Sequence, residues 1–219
     1  MKRVWYEAWP ELLEQIKNEI RSEYPTLHLY CEEDVVFVRG TYHIIFEGET
    51  LDRYLVEIEF PHDYPEILPV VRETGGRIPR TPDYHMNDRG DACLFVPDER
   101  WWVLPTGSSF RDFLHGPFYN FFLSQALVSL GQPWPFGQRA HGADGIREFY
   151  TGLLGTSDLV VIRKYLECLS RPEIKGHWIC PCGSGKKIRH CHLKQVRDLR
   201  SKIPTRIARK SLEFLKANK

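Results

Sequence analysis

Four side chains of the kind that bind metal ions crowd into a short segment near the end of this 219-residue chain. The segment, 180–192, reads CPCGSGKKIRHCH. Its four candidate ligands are Cys180, Cys182, Cys191 and His192. Three thiolates and one imidazole suit a closed tetrahedral zinc site, and the GSG turn lets the two halves of the segment meet. Because the segment has too few apolar residues to fold by burial, we expect structural zinc to stabilise it, with His177 and His190 as alternatives to His192.

The charge of the chain is divided along its length. Residues 175–219 hold 13 Lys and Arg against two Asp and Glu, a net charge of +11, whereas residues 1–174 carry −10. The basic residues form an arm made of Lys186, Lys187, Arg189, Lys194, Arg197, Arg200, Lys202, Arg206, Arg209 and Lys210. We expect this arm to bind an acidic protein surface rather than nucleic acid, because only Phe214 could stack on a base there. A solvated helix surface, or docking onto the acidic part of the same chain, is the alternative.

The composition excludes several classes of protein. Hydrophobic residues make up 42% of the chain and charged residues 27%, which is typical of a globular domain. No apolar run approaches the roughly 18 residues of a membrane helix, and the first residues lack a signal-peptide pattern. We therefore expect a cytoplasmic protein with no membrane span. Its six cysteines are then thiols or metal ligands, with Cys31 and Cys168 as core thiols.

Hydrophobic periodicity predicts an α+β fold. Apolar residues at helical spacing and Pro10 in the first turn indicate a helix that ends by Pro25. Strands are predicted at 35–38, from 42, at 54–60 and at 68–72, as an antiparallel four-stranded meander with helices on one face. Further helices are predicted over 117–130, from Asp144 to Leu154, and up to Ser170 from a cap at Ser157 or Asp158.

A domain boundary is predicted near residue 172, where composition and charge sign change together. This gives a domain over 1–172 and a small zinc-binding module with a basic helical tail over 173–219. Between Glu73 and about Arg100 no periodicity survives, and an irregular loop of this length in a compact domain is usually functional or disordered. The loop contains His85, Asn87 and Cys93.

The first domain carries an ordered series of motifs. After the helix and the strands come F-P-x-x-Y-P-x-x-x-P, H-x-N, G-x-x-C-L and a tryptophan. The matching residues are Phe60, Pro61, Tyr64, Pro65, Pro69, His85, Asn87, Gly90, Cys93, Leu94 and Trp101. Together they resemble the ubiquitin-conjugating enzymes over roughly residues 5–155, which implies their UBC fold. The stretch RAHGADGIREFY at 139–150 is similar to a feature of divergent bacterial relatives in antiviral operons for cyclic-nucleotide signalling and in related operons.

This resemblance implies thioester chemistry at Cys93. The thiol would accept the C-terminal carboxyl group of a ubiquitin-like protein from an activating enzyme, and a target amine would then attack the thioester. In the version suggested by the bacterial relatives, the donor is the C-terminus of a cyclic-nucleotide synthase. Without the resemblance, a lone cysteine is by default a small buried apolar side chain.

Several residues are candidates for assisting Cys93. By analogy with the family's His-Pro-Asn, Asn87 would be an oxyanion donor or a brace for the loop. Met86 stands in place of the proline and the gap from Asn87 to Cys93 is shorter than in the family, so His85 and His141 are alternatives for positioning or deprotonating the amine. His141 has the equal alternative of bonding to backbone before a helix. Asp98 and Asp112 either orient the amine or are solvated loop carboxylates.

The C-terminal spacing, C-x-C-x8-C-H, resembles the SEC-C zinc motif, named for the tail of the SecA translocation ATPase and appended to many bacterial proteins. The resemblance implies a docking module with the four ligands named above, and no catalysis there. Two other functions compete with the transferase. One is a catalytically inactive UBC-fold adaptor whose zinc tail tethers a partner. The other is a nucleic-acid-binding adaptor, which would require steep salt dependence.

Overall fold

The computed structural model describes residues 4–137 and 140–217, so Arg139, which begins the stretch similar to the bacterial relatives, lies outside the described residues. The chain divides into two compact units. The sheet unit comprises Met1–Leu94 and Gly107–Gly137, and the helical unit comprises Phe95–Thr106 and Gln138–Lys219. The charge separation follows this division, because the sequence gives the sheet unit a net charge of −9 and the helical unit +10.

The strands form one antiparallel sheet in the sheet unit. They are β1 (Leu27–Glu32), β2 (Val35–Phe46), β3 (Glu49–Phe60) and β4 (Val70–Glu73). Each strand pairs with the next in chain order, so the predicted α+β class with a four-stranded antiparallel sheet is confirmed. One face of the sheet is apolar and the other carries charged side chains, as the period-two pattern requires.

Two strand predictions were wrong in detail. The predicted strands at 35–38 and from 42 are both parts of β2, which continues through Gly40. A side chain at Gly40 would place its Cβ 2.0 Å from the Thr26 carbonyl oxygen, so glycine there permits close chain approach and does not mark a turn. β1 was missed because Leu27 is its only buried residue, which leaves no alternation to detect. Cys31 lies exposed on β1 and is not a core thiol, whereas Cys168 is buried as predicted.

The α-helices of the described residues are α1 (Trp5–Ala8), α2 (Pro10–Glu23), α3 (Arg100–Val103), α4 (Phe110–Phe113), α5 (Tyr119–Ser129), α6 (Gly142–Leu154), α7 (Leu159–Leu169), α8 (Leu193–Lys202) and α9 (Thr205–Ala217). The first predicted helix is confirmed as α2. The helix predicted from Pro117 begins as α5 two residues later, because Leu114–Phe118 forms a kinked turn that contains the proline. In the sheet unit, α5 packs on the sheet, with the Phe122 ring 5.7 Å from that of Tyr42.

The helical unit has one continuous hydrophobic core. Its fully buried members are Tyr150, Ile162, Leu166, Leu169, Ile188, Val196, Ile203 and Ala208. These residues come from both sides of residue 172, so the predicted boundary does not coincide with the division between the units. The reason is that α8 and α9 are amphipathic: their apolar faces enter this core and their basic residues point outward.

The ends of two helices were predicted with mixed success. Asp158 caps α7 by accepting a hydrogen bond of 2.8 Å from the Val160 N–H, which selects Asp158 over Ser157. Helix α6 begins at Gly142, with His141 as the preceding residue, and Asp144 lies within its first turn instead of capping it. Within 4–137 and 140–217, no helix combines the length and the hydropathy that a membrane crossing requires.

Candidate functional site

The four predicted metal ligands come together in the helical unit. The ligand atoms of Cys180, Cys182, Cys191 and His192 all lie within 4.8 Å of one another. The Sγ atoms of Cys182 and Cys191 are 3.6 Å apart, and His192 Nδ1 is 3.2 Å from Cys191 Sγ and 3.4 Å from Cys180 Sγ. Zn–S bonds of about 2.3 Å in a tetrahedron place sulfur atoms roughly 3.8 Å apart. The cluster therefore has the donor set and the size to hold one metal ion.

A short backbone ladder builds this cluster. The Cys180 N–H donates to the Lys186 carbonyl at 2.8 Å, and the Ile188 N–H donates to the Trp178 carbonyl at the same distance. Gly183 and Gly185 adopt positive φ angles of 83° and 73°, which allow the chain to reverse between the two ligand pairs. Ile188 is fully buried and anchors the ladder in the core of the unit.

Two thiols of the cluster have shifted pKa values, and His192 is the histidine that belongs to the cluster. Desolvation raises the pKa of Cys180 to about 11, while hydrogen bonds from Ser184 and the neighbouring cysteines outweigh desolvation and lower the pKa of Cys182 to about 6. The alternative ligand His190 instead accepts a hydrogen bond of 3.0 Å from Arg189 Nε. His177 is exposed and does not belong to the cluster that the described residues form.

A groove of about 490 Å³ lies against the metal cluster in the same unit. It is lined by Trp102, Leu153, Cys191, His192, Lys194, Gln195, Asp198, Leu199 and Lys202. The Lys202 ammonium lies 4.7 Å from the centre of the Trp102 ring. Lys194 pairs with Asp198 at 2.9 Å. The groove thus combines an apolar indole surface with cationic groups at its rim.

Cys93 lies in the sheet unit, at the end of a small hairpin that follows β4. Its side chain is exposed. The Cys93 N–H donates to the His85 carbonyl at 2.7 Å, and Met86 pairs with Ala92 in the antiparallel sense. Met86 is buried, and the Ala92 N–H donates to the Val71 carbonyl of β4 at 2.8 Å. The backbone of Cys93 is therefore fixed while its thiol faces solvent.

Asn87 braces the turn of this hairpin. Its Oδ1 accepts hydrogen bonds of 2.9 Å from the N–H groups of Arg89 and Asp91, and its Nδ2 donates to Asp91 Oδ2 at 2.9 Å. These contacts are those of the loop brace, which was one of the two roles considered for Asn87. They hold the turn closed immediately before Cys93.

His85 and Asp91 flank the thiol along the hairpin. His85 adopts a left-handed conformation, with φ of 53°, and its ring contacts the Trp134 ring edge-on with the ring centres 4.9 Å apart. Gln125 Nε2 donates to the adjacent Tyr84 carbonyl at 2.7 Å, which ties this segment to α5. Partial desolvation and the Asp91 carboxylate raise the pKa of the Cys93 thiol.

The remaining candidates have structural roles or lie elsewhere. His141 belongs to the helical unit, where its carbonyl accepts from the Gly145 N–H at the start of α6. Asp98 is fully buried, which excludes for it the alternative of a solvated loop carboxylate. Asp112 forms a capping box with Ser109 at the start of α4.

Sequence reasoning missed the contacts of two carboxylates, one in the hairpin and one at the end of β4. Arg72 of β4 donates through Nε to Asp91 Oδ1 at 2.7 Å. The buried Glu73 carboxylate accepts from the N–H groups of Gly75 and Arg77 at 2.8 and 2.9 Å. The available signal was the charged residues at the outward positions of β3 and β4.

Comparison of the chain with protein-family models, with curated proteins and with solved structures finds no match.

Proposed function

We propose that this protein is a ubiquitin-conjugating-like acyl transferase that carries its donor as a thioester on Cys93. The observation that carries the proposal is the exposed thiol on a hairpin whose backbone is fixed on both sides. A nucleophilic cysteine needs access to its substrate and a constant position, and Cys93 has both. The order of motifs that resembles ubiquitin-conjugating enzymes gives the kind of acyl group.

The chemistry consists of two acyl transfers. In the first, Cys93 Sγ attacks the thioester carbonyl carbon of a donor held by an activating enzyme, a new C–S bond forms and the enzyme's thiolate leaves. The proton lost by Cys93 passes through solvent to that leaving thiolate. In the second, a target amine attacks the same carbon, the bond to Cys93 breaks and an amide forms, with the amine proton released to solvent.

The hairpin residues assist these steps. Asn87 keeps the turn closed, and His85 lies opposite Cys93 on the paired segment, where its imidazole can position or deprotonate the incoming amine. Gly90, with φ of 84°, has Arg80 packed beside it, which fixes the outer side of the turn. The donor is a ubiquitin-like protein or the C-terminus of a cyclic-nucleotide synthase, and the setting is bacterial antiphage defence.

The helical unit serves as the docking part of the protein. Zinc held by Cys180, Cys182, Cys191 and His192 has four protein ligands and no open position, so its role when bound is structural. The partner presents an acidic protein surface. Support comes from the +10 net charge of the helical unit and from the groove beside the cluster, where Lys202 and Trp102 suit an acidic segment that carries an apolar side chain.

The proposal is tested by intact-mass analysis after co-expression of the protein with the genes that neighbour its own. We expect an adduct that thiol reductants remove. Cys93→Ala should abolish it, and Cys93→Ser should trap an ester that resists reductants and is cleaved by alkali. Cys31→Ala is the matched control, because Cys31 is the other exposed thiol of the sheet unit.

The decisive contrary result concerns activity on the authentic target. If the partners modify that target as well in the presence of the Cys93→Ala variant as in the presence of the unaltered protein, Cys93 is not the carrier. The protein is then the catalytically inactive UBC-fold adaptor with a zinc docking tail. An adduct that survives in Cys93→Ala and disappears in Cys31→Ala would equally overturn the assignment.

A further inference from the structure

A line of alternating charges crosses the outward face of the sheet and ends beside the candidate nucleophile. Glu32 of β1 pairs with Arg39 of β2 at 2.7 Å. Arg39 pairs with Glu57 of β3 at 2.7 Å, and Glu57 pairs with Arg72 of β4 at 2.9 Å. Arg72 then pairs with Asp91 of the hairpin at 2.7 Å. Every strand contributes one member, so the hairpin is tied electrostatically to the whole sheet.

The last member, Asp91, is held by both of its carboxylate oxygens. Oδ1 accepts from Arg72 Nε at 2.7 Å, and Oδ2 accepts from Asn87 Nδ2 at 2.9 Å. Its backbone N–H donates to Asn87 Oδ1 and its carbonyl accepts from the Asn87 N–H. Asp91 stands two residues before Cys93, and Ala92 between them is bonded to β4. A carboxylate with so many fixed contacts sets the position of the chain at Cys93.

We propose that Asp91 and Arg72 are positioning residues that control the reactivity of the Cys93 thiol. Asp91 holds the hairpin against β4 and places a negative charge near the thiol, and Arg72 balances that charge. This inference rests on the proposed function only in naming Cys93 as the nucleophile. The reactivity itself is measured without any acyl donor.

The sign of each effect follows from the charges around the thiol. The Asp91 carboxylate opposes ionisation of Cys93, so removing its charge favours the thiolate. Arg72 also pairs with Glu59 at 2.6 Å, so removing Arg72 leaves several carboxylates without their shared cation. Other ionisable groups at the hairpin are His85 on the opposite segment, Arg80 beside Gly90, and Asp88 and Arg89 in the turn, and all four stay in place in the variants below.

The experiment measures the alkylation rate of Cys93 by iodoacetamide across pH, by mass spectrometry of its peptide. The midpoint of the pH profile reports ionisation of the thiol, and the plateau at high pH reports access. Asp91→Asn should raise the rate near neutral pH by roughly threefold to tenfold, and Arg72→Met should lower it by a similar factor. Arg72→Lys keeps the positive charge but loses the guanidinium group that contacts Glu57 and Asp91 through different nitrogen atoms. Its alkylation rate should therefore fall between that of Arg72→Met and that of the unaltered protein.

Two controls isolate the effect. Cys31 in the same samples is an exposed thiol outside the hairpin, and its rate should not change. Arg39→Met removes an arginine that shares Glu57 with Arg72 but has no contact with Asp91 among those described, and it should change the Cys93 rate by less than about twofold. Thermal unfolding of each variant verifies that the sheet unit is folded.

A double substitution tests whether Arg72 acts through Asp91. In an Asp91→Asn background, Arg72→Met should have at most about half its former effect on a logarithmic scale. The proposal is overturned if both single substitutions leave the midpoint unchanged, or move it in the same direction. Transfer activity gives a separate readout. Altered alkylation without any thioester in the unaltered protein would reject the proposed function and leave this control of the thiol standing.

Discussion

The Tyr150 hydroxyl donates a hydrogen bond of 2.5 Å to the buried carboxylate of Asp98. Ser211 donates to the other carboxylate oxygen at 2.6 Å. Three segments of the helical unit thus meet at one ionisable group: the stretch after Cys93, α6 and the last helix, α9. Burial raises the pKa of Asp98, and the two hydroxyl groups partly offset this.

Tyr150→Phe should destabilise the helical unit in a pH-dependent way. Losing a donor to a buried carboxylate costs about 1.5–3 kcal/mol when the carboxylate is charged, and less when it is protonated. Because the folded pKa of Asp98 is raised, its contribution to stability is greatest below the unfolded pKa of about 3.9 and is lost as pH rises through the folded value. The destabilisation should therefore be larger near pH 7 than near pH 4, as measured by urea unfolding.

Tyr165→Phe is the matched control for that substitution. The Tyr165 side chain is also buried in the helical unit, but its hydroxyl donates to the neutral amide oxygen of Gln195 at 3.1 Å. Its effect should stay constant over the same pH range. A pH-independent effect of Tyr150→Phe would mean that Asp98 does not titrate within that range.

Metal removal should unfold more than the C-terminal segment. Cys180 is 2% exposed and belongs to the same core as α6 and α7, so losing the metal weakens the whole helical unit. Elemental analysis should find one zinc ion per chain. Cys182→Ser and Cys191→Ser should lose it, with a stability loss on the order of 5 kcal/mol or more.

Cys31→Ser, which alters an exposed thiol of the sheet unit, should keep both the zinc and the stability. Protein that contains no metal after purification without chelators would refute the zinc assignment. A His192→Ala variant that keeps full metal content while His190→Ala loses it would instead make His190 the fourth ligand.

The candidate helpers of Cys93 should separate into two kinds. His85→Ala keeps the carbonyl that bonds the Cys93 N–H, so charging should persist while discharge to lysine slows by roughly tenfold or more. Asn87→Ala removes three hydrogen bonds of the turn, so charging and discharge should both fall. Single-turnover assays that follow the two steps independently provide the measurement.

His141→Ala should leave both steps intact, because the carbonyl that begins α6 is retained in the variant. Slower discharge in His141→Ala, with His85→Ala normal, would transfer the helper role from His85 to His141. If none of the three substitutions affects either step, aminolysis proceeds without these side chains.

The groove beside the metal cluster should select acidic peptides with an apolar residue. Panning a random heptapeptide library on the full chain should enrich such sequences, and their binding should weaken with salt. Lys202→Glu should reduce the affinity of an enriched peptide by roughly tenfold or more, as should Trp102→Ala. Lys164→Glu on α7 is the control, because Lys164 is exposed and does not line the groove.

The groove is not the docking site if the enriched peptides show no acidic bias. The same conclusion follows if they bind the Lys202→Glu variant as tightly as the unaltered chain. Trp102 also contacts Phe149, with ring centres 5.6 Å apart, so the fold of Trp102→Ala is verified by circular dichroism. The Lys202 substitution is at an exposed position and carries the test if Trp102→Ala is unstable.

The sequence predicted features that depend on nearby residues. Helix α2 follows from apolar spacing, the cap of α7 from Asp158, and the ligand set from the spacing of Cys180 to His192. In each case the interacting groups lie within a few turns of chain, so their pattern is visible in a short window.

Features whose partners are distant in sequence could not be predicted in this way. Neither alternative considered for Asp98 was a buried carboxylate, because its donors are 52 and 113 residues away. Arg72 and Asp91 are 19 residues apart, so the outward charge on β4 indicates an ion pair but does not identify Asp91 as the partner. The boundary near 172 failed to match the units because charge and composition describe the outer faces of α8 and α9, whereas their inner faces decide what they pack against.

The contact between Asp98 and Ser211 also affects the order in which this protein folds as it is synthesised. A ribosome makes the sheet unit's strands and α5 well before α9, so that unit has all of its segments before the last helices of the helical unit are made. The helical unit is incomplete until α9 is made, and until then the surfaces of α6, α7 and the stretch over 95–106 that α9 covers are exposed. Chaperones that bind exposed apolar chain therefore have their longest opportunity on this unit, and a premature stop shortly before Thr205 would leave the nascent chain permanently in that state.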